Sequence, residues 1–213
     1  MSREPYPEIA DKLRQLMLDK IEKREPPKTI WFTDTVYCGR KKIFAMLGGR
    51  QRFNNTALNK IWLGIVVGEA LKSLGIAGEV PVEYKGMNGR IDVLLETGEP
   101  MEVKTASNLY ITASEYTETH VQQLSRYCLA LGKETGILFY YVPQVSIMSL
   151  PAYRYRFDLD KVREETDERL ELLKQAAKAL DPFMLPITWH SKDMDNWECR
   201  QCMYQEVCRR ERI

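Results

Sequence analysis

At 213 residues, the chain is long enough to bury a proper core, as one generous domain or as a core with a small appendage. Its composition, 44% hydrophobic and 29% charged, is that of an ordinary soluble globular protein. A net charge of +1, from 31 Lys and Arg against 30 Asp and Glu, excludes a surface coated uniformly with phosphate-binding charge but leaves room for a local basic groove.

In chain order, Ile9, Leu13, Leu16 and Met17 recur on one side of an amphipathic helix over residues 7–23, and the paired prolines of REPPKT stop it. The N-terminus MSREPYPEIADKL has no signal-peptide apolar core, so a cytoplasmic protein is expected. A second helix is expected from Thr33–Thr35 to Gly48–Gly49, carrying Cys38 and the basic run Arg40, Lys41 and Lys42. Asn54–Asn55 can cap a third helix running to Gly75. Its apolar run, IWLGIVVGEALKSL, is too short and too interrupted by Glu69 for a membrane span. Three strands follow: EVPVEYK, RIDVLLE and PMEVKT. SEYTETHVQQLSRYCLALG predicts a strong helix with Ser114 as its cap and Gly132 at its end. TGILFYYVP, unbroken in its apolar and aromatic character, predicts a buried strand, and the alternating YRYRFDL an edge strand. A charged helix over 159–180 is ended by Asp181–Pro182, and a loop-rich cysteine segment runs from Met184 to Ile213. This order predicts an α/β domain around a mixed sheet, with the first and last segments folding together as a cap.

The stretch GRIDVLLETGEPMEVKTA puts charges where buried strands would carry valine. Side chains alternate faces along a strand. If the two strands pair antiparallel with even residues facing even, Asp92, Glu102 and Lys104 converge on one surface and Ile91, Val93, Leu95, Met101 and Val103 form the opposite, core face. Two convergent carboxylates beside an ammonium are costly to bury unless something binds them. Mg²⁺ or Mn²⁺, which prefer hard carboxylate oxygens, would do so and would support phosphodiester hydrolysis. A solvated hairpin face with a cross-strand salt bridge is the alternative that this pattern alone leaves open.

Three further constellations bear on the choice. Apolar residues cover nearly every direction of the third helix, so Glu69 is expected to be a buried carboxylate in need of a partner: a metal ligand, or a carboxylate paired with a lysine or left at the rim of the sheet. On HVQQLSRYCLAL, Val121, Leu124, Cys128 and Leu131 form a core stripe with Gln123 and Tyr127 one turn apart beside it; His120 reads as boundary polarity and Cys128 as a buried hydrophobe. Cys199, Cys202 and Cys208 are spaced for one metal centre, and Cys38 is the natural fourth thiolate. Four thiolates suit zinc or an iron–sulfur cluster, and the spacing does not choose between them.

Together these residues resemble the RecB-like branch of the PD-(D/E)xK nucleases, and specifically a CRISPR-associated Cas-four nuclease, over almost the whole chain. The family's metal-binding Asp and Glu-x-Lys fall on Asp92 and Glu102-Val103-Lys104, its Gln-x3-Tyr on Gln123 and Tyr127, and its one-plus-three cysteines on Cys38, Cys199, Cys202 and Cys208. The helix histidine of many relatives has no counterpart in LGIVVGEALKSL, where Glu69 is the one candidate ligand. The resemblance implies a restriction-endonuclease-like core over residues 56–182, an N-terminal helical region (1–55) contributing Cys38 to a cap, and a C-terminal segment (183–213) completing an iron–sulfur site, 4Fe–4S ahead of 2Fe–2S. It implies a metal-dependent exonuclease on single-stranded DNA or frayed ends, trimming spacer precursors for the Cas-one/Cas-two integrase in antiviral defence. Asp92, Glu102, the Val103 carbonyl and Glu69 would hold Mg²⁺ or Mn²⁺, Lys104 would act on the attacking water and the phosphate, and Gln123 and Tyr127 would hold the lysine and the substrate backbone in place. Arg40, Lys41, Lys42, Arg50 and Arg52 could line a DNA path, with Trp31, Phe32 and Tyr37 stacking on bases. A RecB-like repair nuclease outside CRISPR and a non-catalytic DNA-binding subunit with structural zinc or iron–sulfur are the rival readings. The chain has no P-loop, so any motor would be a separate protein.

Overall fold

Reversal of the chain at Lys85–Gly86 opens the first of two sheets in the computed structural model, which describes residues 12, 15, 28–48, 55–73, 78–106, 115–146, 149–192 and 196–210. Lys85 and Gly86 both take positive φ (51° and 81°), the two-residue turn whose twist suits a tight hairpin. It joins β1 (Val80–Tyr84) to β2 (Met87–Ile91), with Tyr84 opposite Met87. RIDVLLE is therefore not one strand. Arg90 and Ile91 end β2, the chain bends at Asp92, and Val93–Leu94 form β3 in the second sheet. The break lies at Asp92 because its carboxylate, instead of a backbone carbonyl, receives the Val103 N–H at 2.8 Å.

The second sheet runs β3, β4 (Pro100–Thr105), β5 (Thr135–Tyr141), β6 (Ala152–Arg156), with the β4–β5 pair parallel and the outer pairs antiparallel. The parallel pair needs a crossover, and a helix, α3 (Glu115–Leu131), supplies it before Gly132 ends it at φ 65°. Val93 lies opposite Met101 and Leu94 opposite Pro100, the even-to-even register that puts Asp92 across from Glu102. α3 packs Leu124 and Cys128 against Leu138 and Tyr140 of β5. Its Tyr127 joins Phe32, Ile43, Ile91, Leu170 and Leu173 in a second core. Leu170, Leu173 and Ala176 come from α4 (Leu159–Ala179), whose Asp158 cap accepts the Asp160 and Lys161 N–H groups at 3.1 and 3.2 Å. The mixed α/β architecture flanked by helices is the one expected from the element order.

The ends of the chain differ from expectation. A 3₁₀ turn, Phe32–Thr35, and a short helix, α1 (Gly39–Met46), replace one helix from Thr33, so that Cys38 precedes α1 instead of lying inside it. Short polar side chains close the turn: Thr35 Oγ1 donates to the Phe32 carbonyl (2.8 Å), and Asp34 accepts the Trp31 N–H (2.8 Å). The cysteine tail, expected as loop, forms α5 (Trp197–Arg200) and α6 (Gln205–Arg210). It packs Tyr204 and Cys208 against Phe44, with the Phe44 and Tyr204 rings stacked at 5.2 Å. Of the segment 7–23 only Lys12 and Gln15 are described, both helical; Ser114, Arg50 and Arg52 lie outside the described residues. No helix among the described residues is long and apolar enough to cross a membrane.

The remaining helix, α2 (Asn55–Ser73), overturns one expectation outright. Among its described side chains only Val67 is buried; Trp62 and Val66 are exposed, and the Glu69 side chain is 65% exposed and pairs with Lys72 at 3.3 Å. An all-round apolar surface predicts burial only if other elements cover every side, and here α2 meets β4 along one face.

Candidate active site and cysteine centre

β4 points Glu102 and Lys104 to the same side, beneath α3, and the Glu102 side chain is only 3% exposed. Lys104 Nζ lies 2.5 Å from Glu102 Oε1 and donates to Gln123 Oε1 at 2.8 Å. Gln123 Nε2 in turn donates to the Tyr127 hydroxyl at 2.9 Å, one turn along α3. Phe32 meets the Tyr127 ring edge-on at 5.6 Å. The two rings close over Gly89, where a Cβ would stand 2.0 Å from Phe32 and 2.9 Å from Tyr127. The charged face is thus an enclosed chain of contacts, Glu102–Lys104–Gln123–Tyr127–Phe32, and not a solvated hairpin.

The electrostatics leave this chain incomplete. Glu102 Oε2 is buried and has no hydrogen-bond partner. Burial, only partly offset by Lys104, and the neighbouring Asp92 push the Glu102 carboxyl up to about 7. Asp92 is also raised, chiefly by burial, against the Val103 N–H and Lys104, which favour its charge; Glu79 adds to the rise. Burial works against the charge on Lys104, yet Glu102, with Tyr37 and Asp92, holds it protonated above the ordinary lysine range. Two crowded carboxylates, one with an orphaned oxygen, are a donor set suited to a divalent cation.

Asp92, Val103 and Lys104 also line a cavity of about 240 Å³ whose far wall is α2. Glu69 is not among its lining residues, whereas Glu79, just before β1, is. His120 sits nearby with Nδ1 2.9 Å from the Tyr140 hydroxyl. Burial and the charge of Lys104 lower it to about 3, so it is neutral. Cys128, as its spacing predicts, is buried in the α3–β5 core.

The four cysteines expected to share a centre line one small cavity, about 10 Å³, although Cys38 and Cys199 are 161 positions apart in the sequence. Glu198, buried at 2% exposure, joins the two segments: its Oε1 accepts the Cys38 N–H at 2.6 Å and Lys41 Nζ at 3.0 Å. Its Oε2 is buried without a hydrogen-bond partner. Donors already face three of the sulfurs: Arg40 Nη1 to Cys208 (3.3 Å), Asn196 Nδ2 to Cys199 (3.4 Å) and the Tyr204 N–H to Cys202 (3.4 Å). Cys38 Sγ donates to the Ile187 carbonyl at 2.9 Å; burial and Glu198 push its thiol up to about 12. Among the described residues no three His, Cys, Asp or Glu side chains stand in a ready-made metal-binding arrangement.

The expected DNA path is corrected here. Arg40 and Lys42 are buried, at 4% and 6% exposure. Arg40 donates twice to the Leu185 carbonyl (2.9 and 2.7 Å), and Lys42 Nζ donates to the Thr29 carbonyl (2.6 Å). Lys41 is committed to Glu198. The basic run is therefore structural, its charges engaged by carbonyls, a thiol and the carboxylates of Glu198 and Asp34. Phe32 is core, and Tyr37 packs edge-on against Trp197 at 6.4 Å. Glu79 and Glu198 were not among the expected site residues. The one sequence signal for Glu198 is its place in NWEC, where Asn196 caps α5 by accepting the Cys199 N–H at 3.0 Å. For Glu79 there is none.

Comparison with solved structures gives SSO0001 at 21% identity, with 94% of this chain and 95% of that one covered and a TM-score of 0.60. An alkaline exonuclease (LHK-Exo) from Laribacter hongkongensis aligns at 14% identity over 72% of this chain and 91% of that one, with a TM-score of 0.51. A phage-related exonuclease from Haemophilus somnus 129PT aligns at 9% identity over 71% and 94%, with a TM-score of 0.54. At such identities these likenesses speak for the fold alone. No curated protein matches the chain. The family described as the PD-(D/E)XK nuclease superfamily matches residues 5–209, nearly the entire sequence. The chain belongs to the PD-(D/E)XK nuclease superfamily.

Proposed function

We propose that the protein is a metal-dependent DNA exonuclease of the RecB-like, Cas-four type. In this reading it acts on single-stranded DNA or frayed ends, trims spacer precursors in the cytoplasm for a Cas-one/Cas-two integrase, and carries an iron–sulfur centre in a cap made by residues 1–55 and 183–213. The observation that carries the nuclease reading is the buried Glu102 with its orphaned oxygen, crowded by Asp92 and tied to Lys104.

Asp92, Glu102 and the Val103 carbonyl fit Mg²⁺ or Mn²⁺, since all three offer hard oxygen and Glu102 Oε2 has no other partner. Bound there, the cation would polarise the scissile phosphate and lower the pKa of a water. Lys104, held protonated, orients that water and donates to the phosphate oxygen that gains charge as the phosphorus–oxygen bond to the leaving strand breaks. Gln123 fixes the Lys104 ammonium, and Tyr127 fixes Gln123, so that the lysine is placed before the substrate arrives. Cys38, Cys199, Cys202 and Cys208 fit a four-thiolate centre. They share one cavity, and N–H donors face three of the sulfurs, as they do around metal-bound thiolates; Arg40 and Lys41 balance the charge that four thiolates would bring.

The test is cleavage of end-labelled single-stranded DNA with Mn²⁺, Mg²⁺ or EDTA, comparing wild type with Lys104→Ala. The protein is purified without oxygen and its visible spectrum recorded first. Metal-dependent cutting that disappears in the variant is expected, with a ladder that gives the polarity, from brown protein. Colourless protein holding zinc would replace the cluster. No cutting by brown, folded wild type would make the chain a binding subunit.

A further inference from the structure

The wall of the cavity opposite Asp92 and Lys104 brings no side-chain oxygen: beside two glycines, α2 lines it with Val67, Leu71 and Lys72. Gly64 and Gly68 line it from α2, and a Cβ added to either would meet nothing within 4 Å. Glu69, one position further along, turns to solvent. A hard divalent cation seeks about six oxygens, and a nuclease site supplies some of these from carboxylates. Asp92 already gives one oxygen to the Val103 N–H, and Glu102 gives one to Lys104. α2 offers the ion nothing to add to them.

Glu79 does. Among the described residues lining this cavity it is the one carboxylate besides Asp92, and it is 45% exposed. Two cations hold it there: Lys72 Nζ at 3.5 Å from Oε1 and Arg90 Nη1 at 3.1 Å from Oε2. Its charge is felt at Asp92, whose carboxyl it helps to raise. We infer that Glu79 is a further metal-binding residue of the nuclease site, presenting its carboxylate to the divalent cation from the open side of the cavity that it lines together with Asp92. The chain thereby supplies from the start of β1 the oxygen that α2 does not. Glu69 stands at one remove: it holds Lys72 at 3.3 Å, and would keep that partner for the ammonium if a cation took its place at Glu79.

This inference rests on the nuclease reading, and one titration separates the two. Free Mn²⁺ is followed by its electron paramagnetic resonance signal as it is added to wild type, Glu79→Gln, Arg90→Gln and Asp92→Asn, without DNA and after thermal melts confirm folding. Glu79→Gln is expected to weaken Mn²⁺ binding about tenfold or more. In cleavage it should raise the Mn²⁺ needed for half-maximal rate while the rate at saturating Mn²⁺ returns toward wild type. Arg90→Gln breaks the same ion pair but keeps the carboxylate, and should bind Mn²⁺ as tightly as wild type or more tightly. If Glu79→Gln binds as wild type does while Asp92→Asn does not, the inference falls and the nuclease site stands. Equal losses in Glu79→Gln and Arg90→Gln would make the Glu79 contribution merely structural and also overturn it. If Asp92→Asn binds Mn²⁺ unchanged, the metal site itself is misplaced and both readings fall.

Discussion

Two buried glutamates, Glu102 and Glu198, stand in nearly the same predicament in different parts of the molecule. Each has one oxygen engaged by a lysine, Lys104 at 2.5 Å and Lys41 at 3.0 Å, and each has its other oxygen buried without a partner. Their surroundings separate them. Glu102 crowds Asp92, so the local excess is negative and oxygen-rich, a setting that calls for a hard cation. Glu198 lies among thiols with Arg40 and Lys41 at hand, so the local excess before any metal is bound is positive and sulfur-rich. Burial makes a glutamate costly in both places, but its neighbours decide what would repay that cost.

The comparison breaks most sharply with one substitution on each side. Asp92→Ala removes a proposed ligand and leaves every cysteine contact in place. Cleavage should fall at least about a hundredfold, the scale set by residues that merely support ligands, with the visible spectrum unchanged. Cys199→Ser should do the reverse, removing a ligand of the proposed iron–sulfur centre and with it any visible absorbance, and loosening the packing of the tail on Phe44, seen as a lower melting temperature. A coloured, fully stable Cys199→Ser protein would remove Cys199 from the centre. Loss of colour in Asp92→Ala would show that Asp92 supports the fold and that the two regions are not separable.

They do share one segment, and Gly89→Ala sharpens how much. Phe32 opens the stretch that ends at Cys38, and its ring packs over Gly89 and against Tyr127. A methyl group 2.0 Å from that ring cannot be accommodated without moving it. Overpacking of this kind costs about 1–3 kcal/mol. The expected outcome is a lower urea midpoint and slower cleavage, because Tyr127 no longer fixes Gln123, with the cysteine centre retained. Wild-type stability would mean that Phe32 is free to withdraw and that the Lys104 chain does not depend on it.

How far each region can be read from sequence follows from how local it is. The register that sets Asp92 across from Glu102 is a matter of alternation along two neighbouring strands, and the Gln123–Tyr127 bond is a matter of one helical turn; both are legible because the geometry is carried by the backbone. The break at Asp92 is not, since it depends on a side-chain bond to a residue eleven positions away. The helical wheel of α2 shows where apolar residues lie but not what covers them, which is why Glu69 points the other way. The basic run misleads for a similar reason: a long stem can be buried when its head finds a carbonyl, as Arg40 finds that of Leu185. The cysteine centre is legible as a count and a spacing, whereas Glu198, which brings Cys38 and Cys199 together, is visible only after the chain has closed on itself.

The smallest expected effect concerns His120, whose neutrality ties the oxygen-rich site to pH. Lys104 and Tyr140 face it, and burial followed by the charge of Lys104 holds its pKa at about 3, well below the ordinary value of 6.5. Between those values the unfolded chain takes up a proton that the folded chain refuses. The stability that His120 contributes is therefore complete above about pH 6.5 and is lost as pH falls toward 3, at a slope approaching 1.4 kcal/mol per pH unit. Glutamine keeps a hydrogen bond for the Tyr140 hydroxyl but does not titrate. From pH 7 to pH 5 the wild type should lose about 1–2 kcal/mol more in urea unfolding than His120→Gln, because the carboxylates contribute alike to both. Parallel losses would mean that His120 is protonated in the folded protein at pH 5. In that case the imidazole shares the enclosure with a charged Lys104, and a counter-charge from Asp92 or Glu102 must reach further under α3 than their bonds to Val103 and Lys104 indicate.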